Sequence, residues 1–285
     1  MLLEGAVAVI TGAGGVMGSA IASGVAAQGG QVVCLDVEEA GPRRLAEGLR
    51  SQGAVARAVC VDVRDGRSVE RAVGAVLAEF GRVDLLVNNA ASFRAIGPVW
   101  EVGREAWWDD VSTNLLGPFL CCRAVLPVMV ERNAGVIINM SGAGFGDALP
   151  GGSGYCASKA ALIRLTETLA LELGTGESKR GVKGAGLSVY VYGMEPAFVA
   201  GAMNERVAAS RAGSRWLPFV AEDLGTGSVG DPRAVADAVC RLVALSPKGL
   251  SGLTMSYRDD FACLARLTAE VQRRGWCKLS YRRPT

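Results

Sequence analysis

What most constrains the fold of this chain is a rhythm of short apolar runs, each followed by a helical pattern. Ala6 to Ile10 precedes a helix starting near Gly18, and Val32 to Leu35 precedes a helix from about Pro42 to Gln52. The alternation continues through Ala58 to Val61, Leu85 to Val87, Val136 to Asn139 and Leu187 to Tyr192. These runs are apolar throughout instead of alternating with polar residues, which is how parallel strands buried on both faces read. Strands and helices taking turns predict an α/β fold, a doubly wound parallel sheet flanked by helices on both faces. With no internal repeat and no linker, residues 1–258 read as a single domain and 259–285 as a C-terminal extension.

Bulk properties narrow the partners. Of the 285 residues half are apolar, enough to bury a sizeable core, and 30 basic against 28 acidic residues leave a net charge of only +2. That balance supplies no field for nucleic acid or an anionic membrane, so the expected partner is a small molecule. Cys34, Cys60, Cys121, Cys122, Cys156, Cys240, Cys263 and Cys277 form no C-x-x-C pair, and the chain contains no histidine. No metal site is expected, and the thiols read as reduced and mostly buried. Glu4 stands where a signal peptide would be basic, and no uninterrupted apolar run reaches the length of a membrane span. The expectation is a soluble cytoplasmic protein.

Two segments carry chemistry. Thr11-Gly12-Ala13-Gly14-Gly15-Val16-Met17-Gly18 lies between the first strand and the first helix. Glycines there let backbone amides approach a pyrophosphate at the helix N-terminus. Asp36 ends the second strand, where a carboxylate accepts from both ribose hydroxyls of NAD(H) and repels a 2′-phosphate, so NAD is preferred over NADP. Tyr155 and Lys159 stand four apart at the start of an apolar helix, one above the other on a single face. A phenol titrates near pH 10, so proton transfer near neutrality requires about 4 kcal/mol of stabilisation of its anion. An ammonium about 4 Å away supplies about 4 kcal/mol at an effective dielectric of about 20.

Ser141 closes the strand ending at Met140, and its hydroxyl should emerge at the carboxyl edge of the sheet, where such folds bind ligands. Asn114 lies in a helical stretch from about Arg104 to Val130, four residues before Pro118. Proline has no amide hydrogen, so the Asn114 carbonyl is left free.

Together these motifs resemble the short-chain dehydrogenase/reductase family, shorter branch, from about Leu3 to Ser256, which implies a Rossmann-type sheet. Asp62-Val63 resembles the family's adenine-contacting pair, and Asn88-Asn89-Ala90 its motif after the fourth strand. The resemblance implies a cofactor site of Gly12, Gly15, Val16, Met17, Gly18, Asp36, Asp62, Val63, Asn89, Ala90, Tyr155, Lys159, Pro196 and Val199. It implies a catalytic set of Asn114, Ser141, Tyr155 and Lys159. In that set Tyr155 is the general acid/base, Ser141 bonds the substrate oxygen, Lys159 binds the nicotinamide ribose, and Asn114 holds a water that links Lys159 to solvent. The activity implied is NAD-dependent interconversion of a secondary alcohol and a ketone.

The match has informative departures. Val16 stands where the family's middle glycine belongs, and its Cβ would crowd the diphosphate. Ala91 replaces the glycine ending the asparagine motif, and Ala197 replaces the glycine after Pro196. Gly201 stands where a threonine would bond the nicotinamide carboxamide, leaving that task to backbone near Val199. Gly12, Gly15 and Gly18 also fit Gly-x-x-Gly-x-x-Gly, a spacing similar to the extended sugar-nucleotide epimerases. The chain is short for their added domain, and Asn88-Asn89-Ala90 belongs to the shorter branch. An epimerase or dehydratase using tightly bound NAD, and a catalytically weak NAD-binding scaffold, remain the alternative functions.

Ala143, Phe145, Leu149, Phe198, Ser141 and Tyr155 are the candidate substrate contacts, with Trp216 to Phe219 in a suspected lid loop at about 197–230. Their character points to a small apolar or aromatic substrate. Arg206, Arg211 and Arg215 read as solvated loop charges, and Gly174 to Gly186 as a surface loop. The helix from Tyr155 to Leu173 is apolar nearly all round, so one face packs on the sheet and another needs a partner. Family resemblance makes that partner a second copy, giving a homodimer or homotetramer, on which the tail with Trp276 and Tyr281 is a candidate to dock.

Overall fold

The computed structural model describes residues 3–142, 146, 148–174, 181–274 and 277. The apolar runs become β1 (Val7–Thr11), β2 (Gln31–Asp36), β3 (Ala56–Cys60), β4 (Leu85–Asn88), β5 (Gly135–Met140) and β6 (Val189–Glu195), and a short β7 (Thr254–Ser256) joins them. Among them run α1 (Val16–Ala27), α2 (Ala40–Ser51), α3 (Gly66–Phe80), α4 (Arg104–Val111), α5 (Gly117–Glu131) and α6 (Ser153–Leu173). Later come α7 (Ala202–Ala209), α8 (Arg211–Trp216), α9 (Pro218–Thr226), α10 (Pro232–Leu245), α11 (Phe261–Arg266) and α12 (Thr268–Arg274).

All strand pairs are parallel, in the order β3-β2-β1-β4-β5-β6-β7. Both faces are buried because side chains of one strand point alternately to opposite sides. Ala8 and Ile10 of β1 join the core built with Ile21 and Val25 of α1 and with Val239 and Leu242 of α10. Val7 and Val9 face the other core, with Val73 and Val76 of α3 and Val125 and Met129 of α5. Strand order reverses between β1 and β4, which opens a crevice above their carboxyl ends, the ligand position of doubly wound sheets. The chain forms one Rossmann-type domain.

Three local features differ from the sequence expectation. The stretch from Arg104 to Glu131 is interrupted by a π-helical turn at Ser112–Leu116, closed by the Gly117 amide on the Ser112 carbonyl. Pro118 is the physical reason, since it cannot donate to the carbonyl of residue 114 and the backbone widens to the next available amide. The same stretch, with mean hydropathy 1.5 in its most apolar window, is long and apolar enough to cross a membrane, and 39% of that window is buried inside the fold. Cys121, Cys122, Val125 and Met129 from it fill the core.

The suspected lid loop is the second difference: it is mostly the short helices α7, α8 and α9. Ser210 caps α8 by accepting from the Gly213 amide, and Pro218 starts α9, where its missing amide hydrogen costs nothing. Third, the described part of the tail does not stand apart. Phe261 and Val271 are 2% and 0% exposed in the core beneath β7, and the Thr254 amide donates to the Cys277 carbonyl. Trp276 and Tyr281 lie outside the described residues, as do 175–180 of the glycine-rich loop.

Candidate active site

The crevice is built first from the β1–α1 turn. Gly12 has φ +64°, and a β-carbon on it would lie 2.8 Å from the Ala90 Cα. One on Gly18 would collide with the Gly12 carbonyl oxygen and lie 2.8 Å from Asn89 Nδ2. These two glycines are therefore required by close backbone packing. Asn89 Nδ2 donates to the carbonyls of Thr11 and Gly12 at 3.0 and 3.2 Å, while Thr11 Oγ1 accepts from the amides of Asn89 and Ala90, both at 3.0 Å. The segment after β4 is thus tied to the turn. Gly15 caps α1 with no side-chain bond and no acidic residue in the first turn, so the first amides of the helix are available to an anion.

Asp36 emerges beside this turn. Its carboxylate accepts from the Gly14 amide at 2.8 Å and the Glu38 amide at 3.1 Å, one on each oxygen, and each oxygen keeps a lone pair for a further donor. Asp62 is forked by Arg64, with Nε and Nη2 at 2.9 and 2.8 Å, and that guanidinium holds its carboxyl below the usual range. Val63 is buried, and a β-carbon on Gly117 would lie 2.9 Å from it. Met17 packs on the core behind the turn, as does Val199 beyond Pro196, where the Val199 carbonyl accepts from Asn204 Nδ2 at 2.8 Å. Val16, 42% exposed, points at Gly201: a β-carbon there would lie 3.2 Å from Val16 Cγ2. The two departures at 16 and 201 therefore face each other, a larger side chain opposite an absent one.

The catalytic set comes from β5 and α6. Tyr155 and Lys159 occupy the same buried face, 6% and 3% exposed, with Lys159 Nζ 5.7 Å from the centre of the phenol ring. A buried amide chain seats the helix: Asn88 Nδ2 donates to Asn139 Oδ1 at 2.8 Å, and Asn139 Nδ2 to Thr166 Oγ1 at 2.8 Å. The Tyr155 hydroxyl lies against Gly142, whose φ of +86° and lack of a side chain leave room for it. Ser141, 1% exposed, directly precedes Gly142, but its Oγ donates to the Met194 carbonyl at 3.1 Å. A hydroxyl in a dry site turns to the nearest acceptor, and β6 supplies one.

Electrostatics differ from the expectation. Burial pushes the Tyr155 phenol well above its ordinary value, and the charges of Cys156 and Asp110 add to the rise. Burial also draws Lys159 down to about 8, and its ammonium donates to the Met140 carbonyl at 2.8 Å. In this arrangement desolvation dominates both groups. Spacing along the helix correctly placed the two groups on one face, but spacing carries no information about how dry that face is.

Asn114 is fully buried, and its side chain is committed locally: Oδ1 accepts from the Ser92 amide at 2.7 Å, and Nδ2 donates to the Ser92 carbonyl at 2.8 Å and to Ser158 Oγ at 3.1 Å. No direct bond joins it to Lys159 among the described residues. Leu149 and Phe198 gather with Tyr155, Phe93, Val207, Leu217, Val220 and Trp216 in a separate apolar cluster. Phe219 is 41% exposed and does not line it, because α9 turns Val220 inward instead. Arg206, Arg211 and Arg215 are exposed. Ala143 and Phe145 lie outside the described residues.

Sequence reasoning missed Phe93, Asp110, Asn139, Thr166 and Asn204, none of which stands in a motif. Only the position of Asp110, four before Asn114 on the same stretch, offered a signal.

The family model described as short chain dehydrogenase matches residues 6–212. D-threitol dehydrogenase of Mycolicibacterium smegmatis is 39% identical over 172 residues, which is 60% of this chain and 66% of that relative's length, just under two thirds. A solved NAD+-bound xylitol dehydrogenase is similar with a TM-score of 0.76 at 25% identity, over 89% of this chain and 98% of that one. A variant of actinorhodin polyketide ketoreductase solved with NADPH gives 0.74 at 27% identity, over 88% and 95% of the two chains. On the motifs, the sheet order and this match, the protein belongs to the short-chain dehydrogenase family of oxidoreductases.

Proposed function

We propose that this protein interconverts a secondary alcohol and a ketone on a small apolar or aromatic substrate, with NAD(H) as the preferred cofactor. The observation that carries the reading is the placement of Tyr155 and Lys159 on one buried face, walled by Phe93, Leu149, Phe198 and Leu217. The uncapped start of α1 and the spare acceptor capacity of Asp36 fit a dinucleotide. Amides at Val16, Met17 and Gly18 would hold its diphosphate, Asp36 its ribose, Asp62 and Val63 its adenine end, with Asn89 and Ala90 bracing the turn; the Gly15 amide, given to the Gly12 carbonyl at 3.2 Å, closes the turn instead of facing the cofactor. Lys159, Pro196 and Val199 would hold the nicotinamide half. When bound, such a group supplies a ring that takes or gives a hydride.

The residues themselves handle the proton. With its phenol raised by burial, Tyr155 carries its proton at neutral pH, the form that donates from Oη to a ketone oxygen. Ser141, beside it in the chain, is placed to orient that oxygen once its hydroxyl leaves the Met194 carbonyl. Lys159, drawn to about 8, stays cationic at neutral pH and stabilises the phenolate left behind. Oxidation of an alcohol uses the same groups in reverse. Half-exposed apolar side chains, Leu171 at 45% on α6 and Phe119 at 45% on α5, support assembly as a homodimer or homotetramer.

One observation favours a second reading, a hydroxyl-rich substrate. A cavity of about 430 Å³ at the ends of β6 and β7 is lined by Glu195, Ser228, Ser256, Tyr257 and Arg258, with Phe198 shared between it and the Tyr155 cluster. Following nicotinamide absorbance with aromatic secondary alcohols, their ketones, xylitol and galactitol separates the two. Turnover of the polyols alone refutes the apolar assignment, and product formed without net absorbance change indicates epimerisation. Tyr155→Phe should abolish turnover and leave the NAD dissociation constant within about twofold. Retained turnover would remove Tyr155 from the mechanism.

A further inference from the structure

Asp110, in the last turn of α4, is a fully buried carboxylate, 0% exposed, in a wall of the site that no motif marks. Among the described residues the hydrogen bonds to its carboxylate all come from donors of one short segment. Its Oδ1 accepts from Ser92 Oγ at 2.6 Å and the Arg94 amide at 2.8 Å; its Oδ2 accepts from the Ala95 amide at 2.9 Å and, more loosely, from the Arg94 amide at 3.1 Å. Asn114, one turn on, grips both backbone groups of Ser92. A loop that would otherwise leave several amides unpaired in the protein interior is held in one conformation by two side chains.

The residue between the gripped positions is Phe93. It is 7% exposed, and its ring lies nearly parallel to that of Tyr155, with centres 4.5 Å apart and planes 22° from parallel. The loop therefore presents a flat surface to one face of the phenol. Ser158 ties the far side, bonded by Asn114 and donating to the Tyr155 carbonyl at 2.7 Å. Ring and backbone of the same tyrosine are thus referred to the same two-residue clamp.

We propose that Asp110 is a positioning residue for the catalytic phenol, acting through the Ser92–Ala95 segment and the Phe93 ring to fix where Tyr155 Oη sits. This rests on the assignment of Tyr155 as acid/base. Because small displacements of a reacting group lower rates by about 10- to 100-fold, a clamp remote from the reacting atoms still acts on turnover. An amide at 110 keeps the shape but turns donors toward the backbone amides, so Asp110→Asn should release the segment.

The test uses the full chain labelled with 3-fluorotyrosine and read by fluorine NMR, with no substrate needed. Of its five tyrosines, Tyr155 is assigned by the signal lost in Tyr155→Phe, and buried Tyr192 in the core is the control. Asp110→Asn and Phe93→Leu should each move the Tyr155 resonance, leave that of Tyr192 in place, and combine non-additively, because they act on one link. With the alcohol the wild type oxidises fastest, kcat should fall about 10-fold or more while the NAD dissociation constant stays within about twofold. A folded Asp110→Asn whose Tyr155 resonance is unmoved overturns the proposal. Ser92→Ala, which removes one donor but keeps the carboxylate whose charge also bears on Tyr155, is read beside it: a moved resonance supports the clamp and an unmoved one overturns it. Retained turnover in Tyr155→Phe would sink the acid/base reading itself, whatever the resonances do.

Discussion

Replacing Lys159 by Met should make the protein inactive and, near neutral pH, more stable. The lysine is 3% exposed, and burial draws its ammonium from 10.5 down to about 8. At about 1.4 kcal/mol per pH unit, that depression corresponds to roughly 3 kcal/mol of folding stability forgone wherever the group is charged in both states. Methionine has similar length and no charge, but it leaves the Met140 carbonyl without its donor at 2.8 Å, a loss of about 1 to 2 kcal/mol. The net expectation at pH 7 is a gain of about 1 to 2 kcal/mol.

The sign then reverses with pH. Below about 8 the lysine is protonated folded and unfolded, and its burial penalty is constant. Between about 8 and 10.5 the unfolded chain still binds the proton while the folded chain has released it, so wild-type stability rises relative to the variant. The two curves should cross near pH 9, and the difference between them should change by about 3 kcal/mol across the window. Buried thiols such as Cys34 and Cys121, pushed up to about 12, lower stability above pH 9 in both proteins and cancel in the difference. Urea unfolding at fixed pH values from 7 to 10.5 reads the result. Parallel curves over that range would show that the ammonium is not desolvated as described.

Two further outcomes are expected. Gly18→Ala places a methyl against the Gly12 carbonyl and should lower stability by about 2 to 3 kcal/mol and weaken NAD binding, whereas Gly48→Ala, with nothing within 4 Å inside α2, should add about 0.5 to 1 kcal/mol. Equal thermal midpoints for the two variants would contradict the packing described for the turn. Gly201→Thr should weaken NAD binding by collision with Val16, and Val16→Gly added to it should restore affinity, with a coupling of about 0.5 to 3 kcal/mol by calorimetry. Simple additivity of the two changes would mean that the facing positions do not share space in the bound state.

Much of the molecule was readable from spacing. Runs such as Val7 to Ile10 are apolar at every position, and only a strand covered on both faces needs that, so the sheet and its flanking helices followed. Gly12 and Gly18 flank a strand-to-helix turn, and Tyr155 and Lys159 are one helical turn apart; both relations are local and survive in any fold that forms those elements. The lid was misread as a loop because α7, α8 and α9 are each too short to show a full amphipathic period.

Tertiary structure alone decided the relations between distant positions. Ser141 turned to the Met194 carbonyl, Val16 met Gly201, and Asp110 gathered the amides around Phe93, because strand order and helix packing brought those segments together. It also decided the direction in which Tyr155 and Lys159 are perturbed. A helix period states which side chains are neighbours, but the cost of holding charge beside them depends on how much water the rest of the fold excludes.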